Sequence, residues 1–546
     1  MTVLLALAAL TWRYWLLRRS TNLPLPTLGP PPAGSRVLIL APHPDDEALA
    51  AGGLIQVARA TGAPVLVVLA TAGDGPGRLG AAGAARPDAT AYRRRGRERL
   101  AESAAAARVL GLPPGDVVLL GFPDGGLDQL WETNWPRDRP YRSPTTGATA
   151  VPYVDAWRPG VAYTGSALLA TLEQVISTFR PTWVVLPTTL DEHPDHWALG
   201  AFTQLAVADL EHRGRLGPVR LLTYLVHRGD WPLPPGWHPQ LPLSPPDNLL
   251  RLGVTWSALP LTPRQVADKG AAIRAYASQT ARLGTWLGSF DRTDEPFATA
   301  PVGVATWVSP AMLAAPGGWD AVPQTFPQPR RSSPLQDVTG SGDITAIRVA
   351  VAPTTTWIRL DTAGRPAKSI TYEVRLHLLE PTTGEPRVTA LDLAMRAGGT
   401  ATARVEYGDG PPPVVVGGTG AHWLVFQLAV ALPDGEPSWI EAGSTRAGVI
   451  VHQSPWEPLA VPATVARRQV TGPKAGNHVP RGVGTALVRP GHRVQPVAGD
   501  AGPLPGCPAG GRSDPGRCGA GGPPETRPAG AARRLRGWTG RRPSGR

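Results

Sequence analysis

Short, predominantly apolar segments alternate with longer helix-like segments between residues 35 and 310. The apolar segments are RVLILA, PVLVVLAT, DVVLLGF, TWVVLPT and VRLLTYLVHR. Helices are predicted at residues 47–61, 91–110 and 166–179, from about 196, and at about 263–281. Strands that are apolar throughout are buried on both faces, and their alternation with helices is typical of a parallel α/β sheet. We therefore predict a Rossmann-like parallel sheet for residues 35–310.

The sequence pattern changes after a Pro-rich segment at 311–335, which we interpret as a linker. Short runs such as ITAIRVAV, TTWIRL and ITYEVRLHLLE recur through residues 336–460, separated by Gly, Pro, Thr and Asp. That pattern is typical of an antiparallel β-sandwich, which we expect to fold as a separate accessory unit with a supporting or polymer-binding role. Its tryptophans are candidate sugar platforms or, alternatively, buried core residues: Trp357, Trp423, Trp439 and Trp456.

Both ends of the chain differ from its body. Residues 1–22 begin MTVLLALAALTWRYWLLRRS and are predicted to be an uncleaved membrane anchor, followed by a Pro-rich linker at 23–34. A surface helix or a misassigned start is the alternative. We expect the protein to be membrane-associated and predict no membrane face. Residues 461–546 have no apolar periodicity and are predicted to be a disordered basic tail, or a stretch read out of frame.

The positive charge of the chain is concentrated in this tail. Of 54 basic and 42 acidic residues, 15 basic and 3 acidic residues lie after residue 460, so the first 460 residues carry 39 of each. A neutral body argues against a nucleic-acid partner. The two cysteines, Cys507 and Cys518, also lie in the tail. A metal in the body must therefore be held by histidines and carboxylates.

Two clusters of acids and histidines follow predicted strands. APHPDDE comes after the first strand, and TLDEHPDHW after the fourth. Ligands of parallel α/β sheets bind outside the carboxyl ends of the strands. Two histidines and one aspartate suit a zinc site that keeps a position open for water. Either motif alone could be a surface turn or a helix start, but together they predict a metal site.

The combination of PHPDDE with a downstream HPDH resembles the PIG-L/LmbE-like metal-dependent N-deacetylases. GFPDGGL (121–127), KGAAIRAYASQ (269–279) and DEPF (294–297) add to a resemblance that covers roughly residues 35–300. It implies Zn²⁺, or another divalent metal, held by three ligands: His43, Asp46 and His196. It also implies Asp45 as general base, and His193 as acid or oxyanion stabiliser, with Asp195 orienting the His193 ring.

Some roles stay open at this point. His193 could instead be a fourth metal ligand. Arg99 could contact substrate or be an exposed helix residue, and Asp124 could support the site or shape a turn. Asp191 stands where some sugar-thiol members of the family have a tyrosine, which argues against a thiol-precursor substrate.

The expected function is removal of an N-acetyl group from an N-acetylglucosamine-type sugar or glycoconjugate by metal-activated water. The alternative is a carbohydrate-binding envelope protein in which the β-sandwich binds the carbohydrate and the α/β domain has no catalytic activity. The sequence gives no prediction of the oligomeric state.

Overall fold

A computed structural model describes residues 24–75, 88–250, 252, 254–300, 302–328, 339–380, 387–433 and 438–462. The predicted anchor at 1–22 lies outside the described residues, as does nearly all of the predicted tail. None of the helices in the described ranges is both long and apolar enough to cross a membrane. Membrane association therefore stays a prediction.

Seven strands form the first sheet, in the order β3-β2-β1-β4-β5-β7-β6. Their bounds are β1 Val37–Ala41, β2 Val65–Thr71, β3 Val117–Phe122, β4 Trp183–Pro187, β5 Arg220–Tyr224, β6 Trp256–Pro260 and β7 Asp294–Ala298. Strands β1 to β5 are parallel, as predicted. The β7 strand is antiparallel to both β5 and β6, so the prediction of a wholly parallel sheet is wrong at this edge.

Helices cover this sheet. Their bounds are α1 Asp46–Ala60, α2 Ala89–Val109, α3 Leu127–Glu132, α4 Gly165–Phe179, α5 Pro194–His212, α6 Pro263–Ala275 and α7 Ala277–Gly288. The single helix predicted at 263–281 is two helices, α6 and α7. A second helix returns the chain to the end where β6 finishes, and Pro260 pairs there with Asp294. This return makes β7 antiparallel to β6.

Helix α1 is interrupted one turn after its start. Ala51 has non-helical backbone angles (φ −136°, ψ 16°). The Glu295 carboxylate accepts the N–H groups of Gly53 (2.6 Å) and Leu54 (2.8 Å), and the Lys269 ammonium lies 2.7 Å from the same carboxylate. Glu295 thus caps the second half of the helix from the side, where an N-terminal acid is electrostatically favourable.

Two largely antiparallel sheets follow. One has the order β10-β11-β12-β17-β16 with β9 beside β11, and the other β15-β14-β13-β18-β20-β8 with β19 beside β18. The strands are β8 Gly303–Val304, β9 Thr306–Trp307, β10 Phe326–Pro327, β11 Ile344–Ala352, β12 Thr355–Thr362, β13 Ile370–Glu380, β14 Arg387–Arg396, β15 Thr402–Tyr407, β16 Val415–Thr419, β17 Trp423–Leu428, β18 Ser438–Arg446, β19 Val449–Gln453 and β20 Glu457–Ala460. A short helix, α8 Pro310–Ala314, precedes β10.

The two antiparallel sheets share a hydrophobic core. Ile358 and Leu360 of the first sheet and Val374, Leu376 and Ile440 of the second belong to one buried cluster. Leu360 and Val374 alternate with more exposed neighbours, which is the period-two pattern of a strand with one buried face. Leu376 and Ile440 instead lie next to the buried His377 and Trp439. Antiparallel sheets are therefore present where the sequence predicted them.

The first sheet layer contacts the second antiparallel sheet through Trp131 of α3. This ring is fully buried and lies 4.8 Å from the ring of His377, 6.1 Å from that of Trp439 and 5.7 Å from that of Trp456. The Tyr407 hydroxyl donates to the Trp131 carbonyl at 2.8 Å. Trp439 and Trp456 are therefore buried core residues and not exposed sugar platforms.

Candidate active site

The two predicted motifs meet at the centre of the sheet. Strands β1 and β4 are neighbours, with Val37 beside Trp183, although β2 and β3 intervene in the sequence. The strand order reverses between β1 and β4, and such a reversal opens a crevice at the carboxyl ends of the strands. His43 follows β1 there, and His193 and His196 follow β4. The predicted convergence of the two motifs therefore occurs.

The turn between β1 and α1 is held in an unusual conformation. Asp45 has φ 133°, a value that residues other than glycine rarely adopt. The Glu47 carboxylate accepts the Asp45 N–H at 3.1 Å, and Arg99 donates to the Pro44 carbonyl at 2.7 Å. Strained backbone of this kind persists where surrounding contacts fix it, and it is concentrated at functional sites.

Arg99 forms an ion pair with the predicted base. Its Nη2 lies 3.1 Å from Asp45 Oδ1, and the arginine is buried, so it is not an exposed helix residue. Burial raises the pKa of Asp45 to about 7, with Arg99 opposing the shift and Asp46 adding to it. A carboxyl group with a pKa near 7 can both accept and return a proton near neutral pH.

The three predicted metal ligands form a compact group. Asp46 Oδ2 lies 3.3 Å from His43 Nδ1 and 3.2 Å from His196 Nε2, and the three donor atoms lie within 4.8 Å of one another. Zinc–nitrogen and zinc–oxygen bonds of about 2.0–2.1 Å give a tetrahedron with edges of roughly 3.3–3.4 Å. Neither ring nitrogen of His196 has a hydrogen-bond partner of good geometry among the described residues. This donor set fits a zinc ion.

Each imidazole presents its other nitrogen to a carboxylate. His43 Nε2 lies 3.1 Å from Asp195 Oδ2 and 3.4 Å from Asp124 Oδ1, and His196 Nδ1 lies 3.2 Å from Asp191 Oδ2. Carboxylates in this position fix the tautomer and orientation of a metal-binding histidine and raise its basicity. These contacts leave His43 Nδ1 and His196 Nε2 on the side of Asp46, where a metal would be held.

These outer carboxylates are anchored by backbone N–H groups. Asp191 accepts from three residues, and Asp124 accepts from Gly75 at 2.6 Å. The donors to Asp191 are His193 (2.9 Å), Val226 (3.0 Å) and His227 (3.0 Å). Asp124 therefore supports the site, and Asp191 is a structural partner of a predicted ligand.

Asp195 contacts a different histidine from the predicted one. Its carboxylate accepts from Gly125 N–H (2.7 Å) and Leu127 N–H (2.8 Å) and lies against His43. His193 receives only the backbone N–H of Asp195, on Nδ1 at 3.2 Å. The reason is the position of both residues at the first turn of α5, where a side chain at the N-cap accepts a hydrogen bond from the backbone.

The buried histidines and carboxylates of the site shift one another's pKa values. Burial alone would lower the pKa of His43 and of His196, but the carboxylates outweigh it, so that the pKa of His43 is well above its usual value and that of His196 is about 9. Burial alone would raise the pKa of Asp46, but His196 and His43 hold it well below its usual range. Without a metal, the two imidazolium ions balance the buried carboxylates, and a dication can take their place.

His193 differs from the two ligands. Burial lowers its pKa to about 4, and the neighbouring His43 and His196 add to the shift. Because Nδ1 accepts the Asp195 N–H, the neutral ring carries its proton on Nε2. His193 also forms a possible ligand group with His43 and Asp195, within 4.8 Å, so the structure brings it close enough for the ligand role as well.

His227 adds an imidazole that the sequence did not single out. Its ring lies 4.6 Å from the His196 ring and stacks on Trp286 at 4.8 Å. Burial lowers its pKa to about 3, and His196 adds to the shift. His227 follows β5 just as His43 follows β1. His227 lies within the apolar segment VRLLTYLVHR, which the sequence analysis assigned as a whole to a strand.

Comparison with known proteins agrees with the resemblance. Residues 38–207 match the PIG-L family, described as GlcNAc-PI de-N-acetylase. No curated protein matches the sequence significantly. Similar solved structures include a conserved protein of Thermus thermophilus, with 24% identity over 49% of this chain and 95% of that one at a TM-score of 0.28. Another is the N,N′-diacetylchitobiose deacetylase of Pyrococcus horikoshii, with 18% identity over 48% and 82% at a TM-score of 0.30. The zinc-inhibited form of a teicoplanin deacetylase has 21% identity over 48% and 97% at a TM-score of 0.31.

The family match spans the whole candidate site. It begins within β1 and ends within α5, so it includes both motifs and every predicted site residue. The predicted enzyme class, a metal-dependent deacetylase, is confirmed at the level of the family. Residues 38–207 are thus the part of this chain that is similar to the PIG-L family.

Proposed function

We propose that this protein is a zinc-dependent hydrolase that removes the acetyl group from an N-acetylglucosamine-type sugar or glycoconjugate. The observation that carries the proposal is the convergence of His43 Nδ1, Asp46 Oδ2 and His196 Nε2 at distances that suit one tetrahedral ion. Asp45 lies beside this group and has a pKa of about 7.

A bound zinc ion would lower the pKa of water towards about 7 and polarise the amide carbonyl. Asp45 is assigned to accept the water proton, because its buried carboxylate interacts with Asp46 and has a pKa of about 7. Arg99 and Glu47 hold it in position, the first by an ion pair at 3.1 Å and the second by accepting its N–H. The resulting attack on the acetyl carbon yields acetate and a free amine.

His193 is suited to stabilise the oxyanion as a neutral hydrogen-bond donor. Its Nδ1 is occupied by the Asp195 N–H, and its Nε2 carries the proton. A pKa of about 4 disfavours the imidazolium form near neutral pH, so the donor is a neutral N–H group. Oxyanion stabilisation requires a donor fixed in advance and does not require a full charge.

The leaving amine needs a proton before it can depart. Asp45, once protonated by the attacking water, has a pKa that allows this transfer near neutral pH. One carboxyl group then acts first as base and then as acid. In this scheme Asp45 carries both proton transfers, and His193 carries neither.

The full-length protein loaded with zinc tests the proposal. It should release acetate from N-acetylglucosamine, N,N′-diacetylchitobiose or an N-acetylglucosaminyl phosphoinositide, and a His196→Ala protein should release none. Bound zinc without acetate release from any of the three would favour the alternative, a carbohydrate-binding protein with an idle α/β domain. The complete ligand set and the buried base argue against that alternative.

A further inference from the structure

His227 lies beside the candidate metal group and has no role in the proposed reaction. Its ring lies 4.6 Å from the His196 ring and 4.9 Å from the His193 ring. The described residues offer two groups of possible metal ligands, and His227 belongs to neither. This ring therefore borders a proposed ligand and the proposed oxyanion donor without reaching the metal, which is where the rest of a bound substrate must lie.

Contacts on two sides hold His227 in place. Its N–H donates to Asp191 Oδ2 at 3.0 Å, and its carbonyl accepts the Glu192 N–H at 2.9 Å. The Trp286 ring stacks on the imidazole, with centroids 4.8 Å apart and 21° between the planes. The Trp286 ring lies nearly perpendicular to the buried ring of Phe290, at 5.4 Å. Because both rings are already fixed, a ligand that binds to them has little ordering to impose.

The polar edges of these two rings are free. His227 and Trp286 are both partly exposed. Neither ring nitrogen of His227 makes a hydrogen bond among the described residues, nor does Trp286 Nε1, and none of these three atoms is among their solvent-inaccessible unpaired atoms. The three nitrogens therefore face space that a ligand can enter. A neutral imidazole offers one donor and one acceptor, and a hydroxyl group can pair with either.

The chemistry of this pair suits a sugar ring. Tryptophan and histidine each combine an apolar body with a polar edge, and a pyranose likewise presents apolar C–H faces and a rim of hydroxyl groups. His193 is also partly exposed and lies beside His227. A substrate whose acetyl oxygen faces His193 can therefore extend past His227 towards Trp286.

We infer that His227 and Trp286 form the sugar subsite of the active centre. His227 hydrogen-bonds a hydroxyl of the sugar whose acetamido group lies at the metal, and Trp286 packs against the sugar ring. The inference rests on the proposed function, because it takes the acetamido group to be bound at the candidate metal group. It adds that affinity for the sugar depends on two residues outside both sequence motifs.

Titration calorimetry with N-acetylglucosamine on full-length, zinc-loaded protein tests the subsite apart from turnover, with Asp45→Asn present in every sample to prevent hydrolysis. Trp286→Leu keeps an apolar side chain but removes the aromatic face, so it should weaken binding about fivefold or more, and Trp286→Phe should weaken it less. The matched control is Trp319→Leu, at a partly exposed tryptophan that packs on strand β11, and it should leave binding unchanged. Zinc content should stay at the parent value in all three.

His227→Phe separates hydrogen bonding from packing, because it removes both ring nitrogens and keeps a ring that can stack on Trp286. It should weaken binding of N-acetylglucosamine about threefold or more. It should leave binding of N-cyclohexylacetamide unchanged, since that probe has an acetamido group on a six-membered ring but no hydroxyls. Trp286→Leu should weaken binding of both ligands. The control is His422→Phe, at an exposed histidine just before β17.

Unchanged N-acetylglucosamine binding in Trp286→Leu or in His227→Phe would overturn the inference, as would an absence of saturable binding in the Asp45→Asn parent. Equal losses for both ligands in His227→Phe would overturn the hydrogen bond and assign His227 a packing role. Acetate release by the zinc-loaded wild-type protein tests the proposed function separately. A protein with the expected binding pattern and no release would refute that function and support the subsite.

Discussion

Asp45 is the residue whose loss should separate metal binding from turnover. Asp45→Asn keeps the size of the side chain but cannot accept the water proton. We expect it to retain zinc and to lose about 10²–10⁴-fold in acetate release. Metal content by atomic absorption and a single-substrate rate assay check this. Near wild-type turnover at full zinc occupancy would contradict the role of Asp45, and Asp155→Asn controls for the loss of one acidic charge.

The two histidines of HPDH should behave differently when truncated. His196→Ala removes a donor that faces Asp46 at 3.2 Å, so zinc binding should be lost. His193→Ala should retain zinc and lower turnover by about 10²–10³-fold, the usual cost of one oxyanion donor. If His193→Ala loses the metal as fully as His196→Ala does, His193 is a fourth ligand and the oxyanion role is wrong.

Zinc uptake should release protons. The pKa of His196 is about 9 in the metal-free site, so at pH 7 its imidazole is protonated and must lose that proton to bind a metal. Apparent zinc affinity should therefore rise as pH increases from 6 to 9 and level off above. Calorimetry at pH 7 in two buffers of different ionisation enthalpy measures the released protons. Zinc binding without proton release at pH 7 would contradict this assignment.

The residues proposed as metal ligands could be identified from sequence, but the partners of their side chains could not. His43, Asp46 and His196 stand at strand ends in recognisable motifs. The roles of Asp124 and Asp191 depend on which loops of the sheet converge, and hydrogen bonds to backbone N–H groups leave no sequence pattern. The prediction for Asp195 was wrong in its partner for the same reason, because the direction of a side chain at a helix start depends on the neighbouring loops.

At the scale of elements, helices α4 and α5 contact each other through a pair of acids. Burial raises the pKa of Glu173 in α4 from 4.5 to about 8, and Asp209 of α5 adds to the shift. The pKa of Glu173 is higher in the folded protein than in the unfolded chain. Protonated Glu173 therefore contributes its full stabilisation of the folded state below pH 4.5. This contribution is lost as pH rises through about 8.

Glu173→Gln should therefore stabilise the protein at neutral and higher pH. The amide resembles the protonated acid and needs no proton, so the free energy of unfolding should rise by on the order of 1–3 kcal/mol at pH 7. The gain should shrink as pH falls towards 4.5. Denaturant unfolding at several pH values measures it, with the exposed Glu98→Gln of α2 as control. A gain that does not vary with pH would contradict the ionisation argument.

The elements that sequence predicted well are those with a strong local signal. Strands β1 to β5 are continuous apolar runs, and most of the predicted helices are present. Helix α3 is only six residues long, which is less than two turns and too short for a repeated pattern to be recognised. Helix α1 is interrupted where Glu295, more than two hundred residues away in the chain, accepts its N–H groups. The local sequence of α1 therefore could not predict the interruption.

At the scale of the whole molecule, Tyr407 joins the two parts of the fold. Its hydroxyl donates to the Trp131 carbonyl at 2.8 Å and lies 3.0 Å from His377 Nε2. Tyr407→Phe should lower the free energy of unfolding by about 1–3 kcal/mol, because a buried acceptor loses its donor. Unfolding followed by tryptophan fluorescence and by circular dichroism should remain one transition.

Tyr92→Phe is the control for this substitution, since the Tyr92 hydroxyl makes no hydrogen bond among the described residues. Two separate transitions, with only one shifted by Tyr407→Phe, would instead support the sequence-based prediction that residues 336–460 fold as an independent unit. That prediction rested on the Pro-rich segment before these residues and on their strand pattern. Tryptophans that pack between two sheet layers look the same in sequence as tryptophans in a single core.

The segment that follows β7 pairs with both antiparallel sheets within five residues. Its strand β8 pairs with β20, its strand β9 pairs with β11, and the Ala305 N–H between them donates to the Ala460 carbonyl at 2.9 Å. A hinge requires residues whose backbone angles can change freely. Here ladder hydrogen bonds fix those angles, so this segment is unsuited to act as a hinge between the two antiparallel sheets. We therefore expect the two sheets to keep their spacing along this segment and to move as one body.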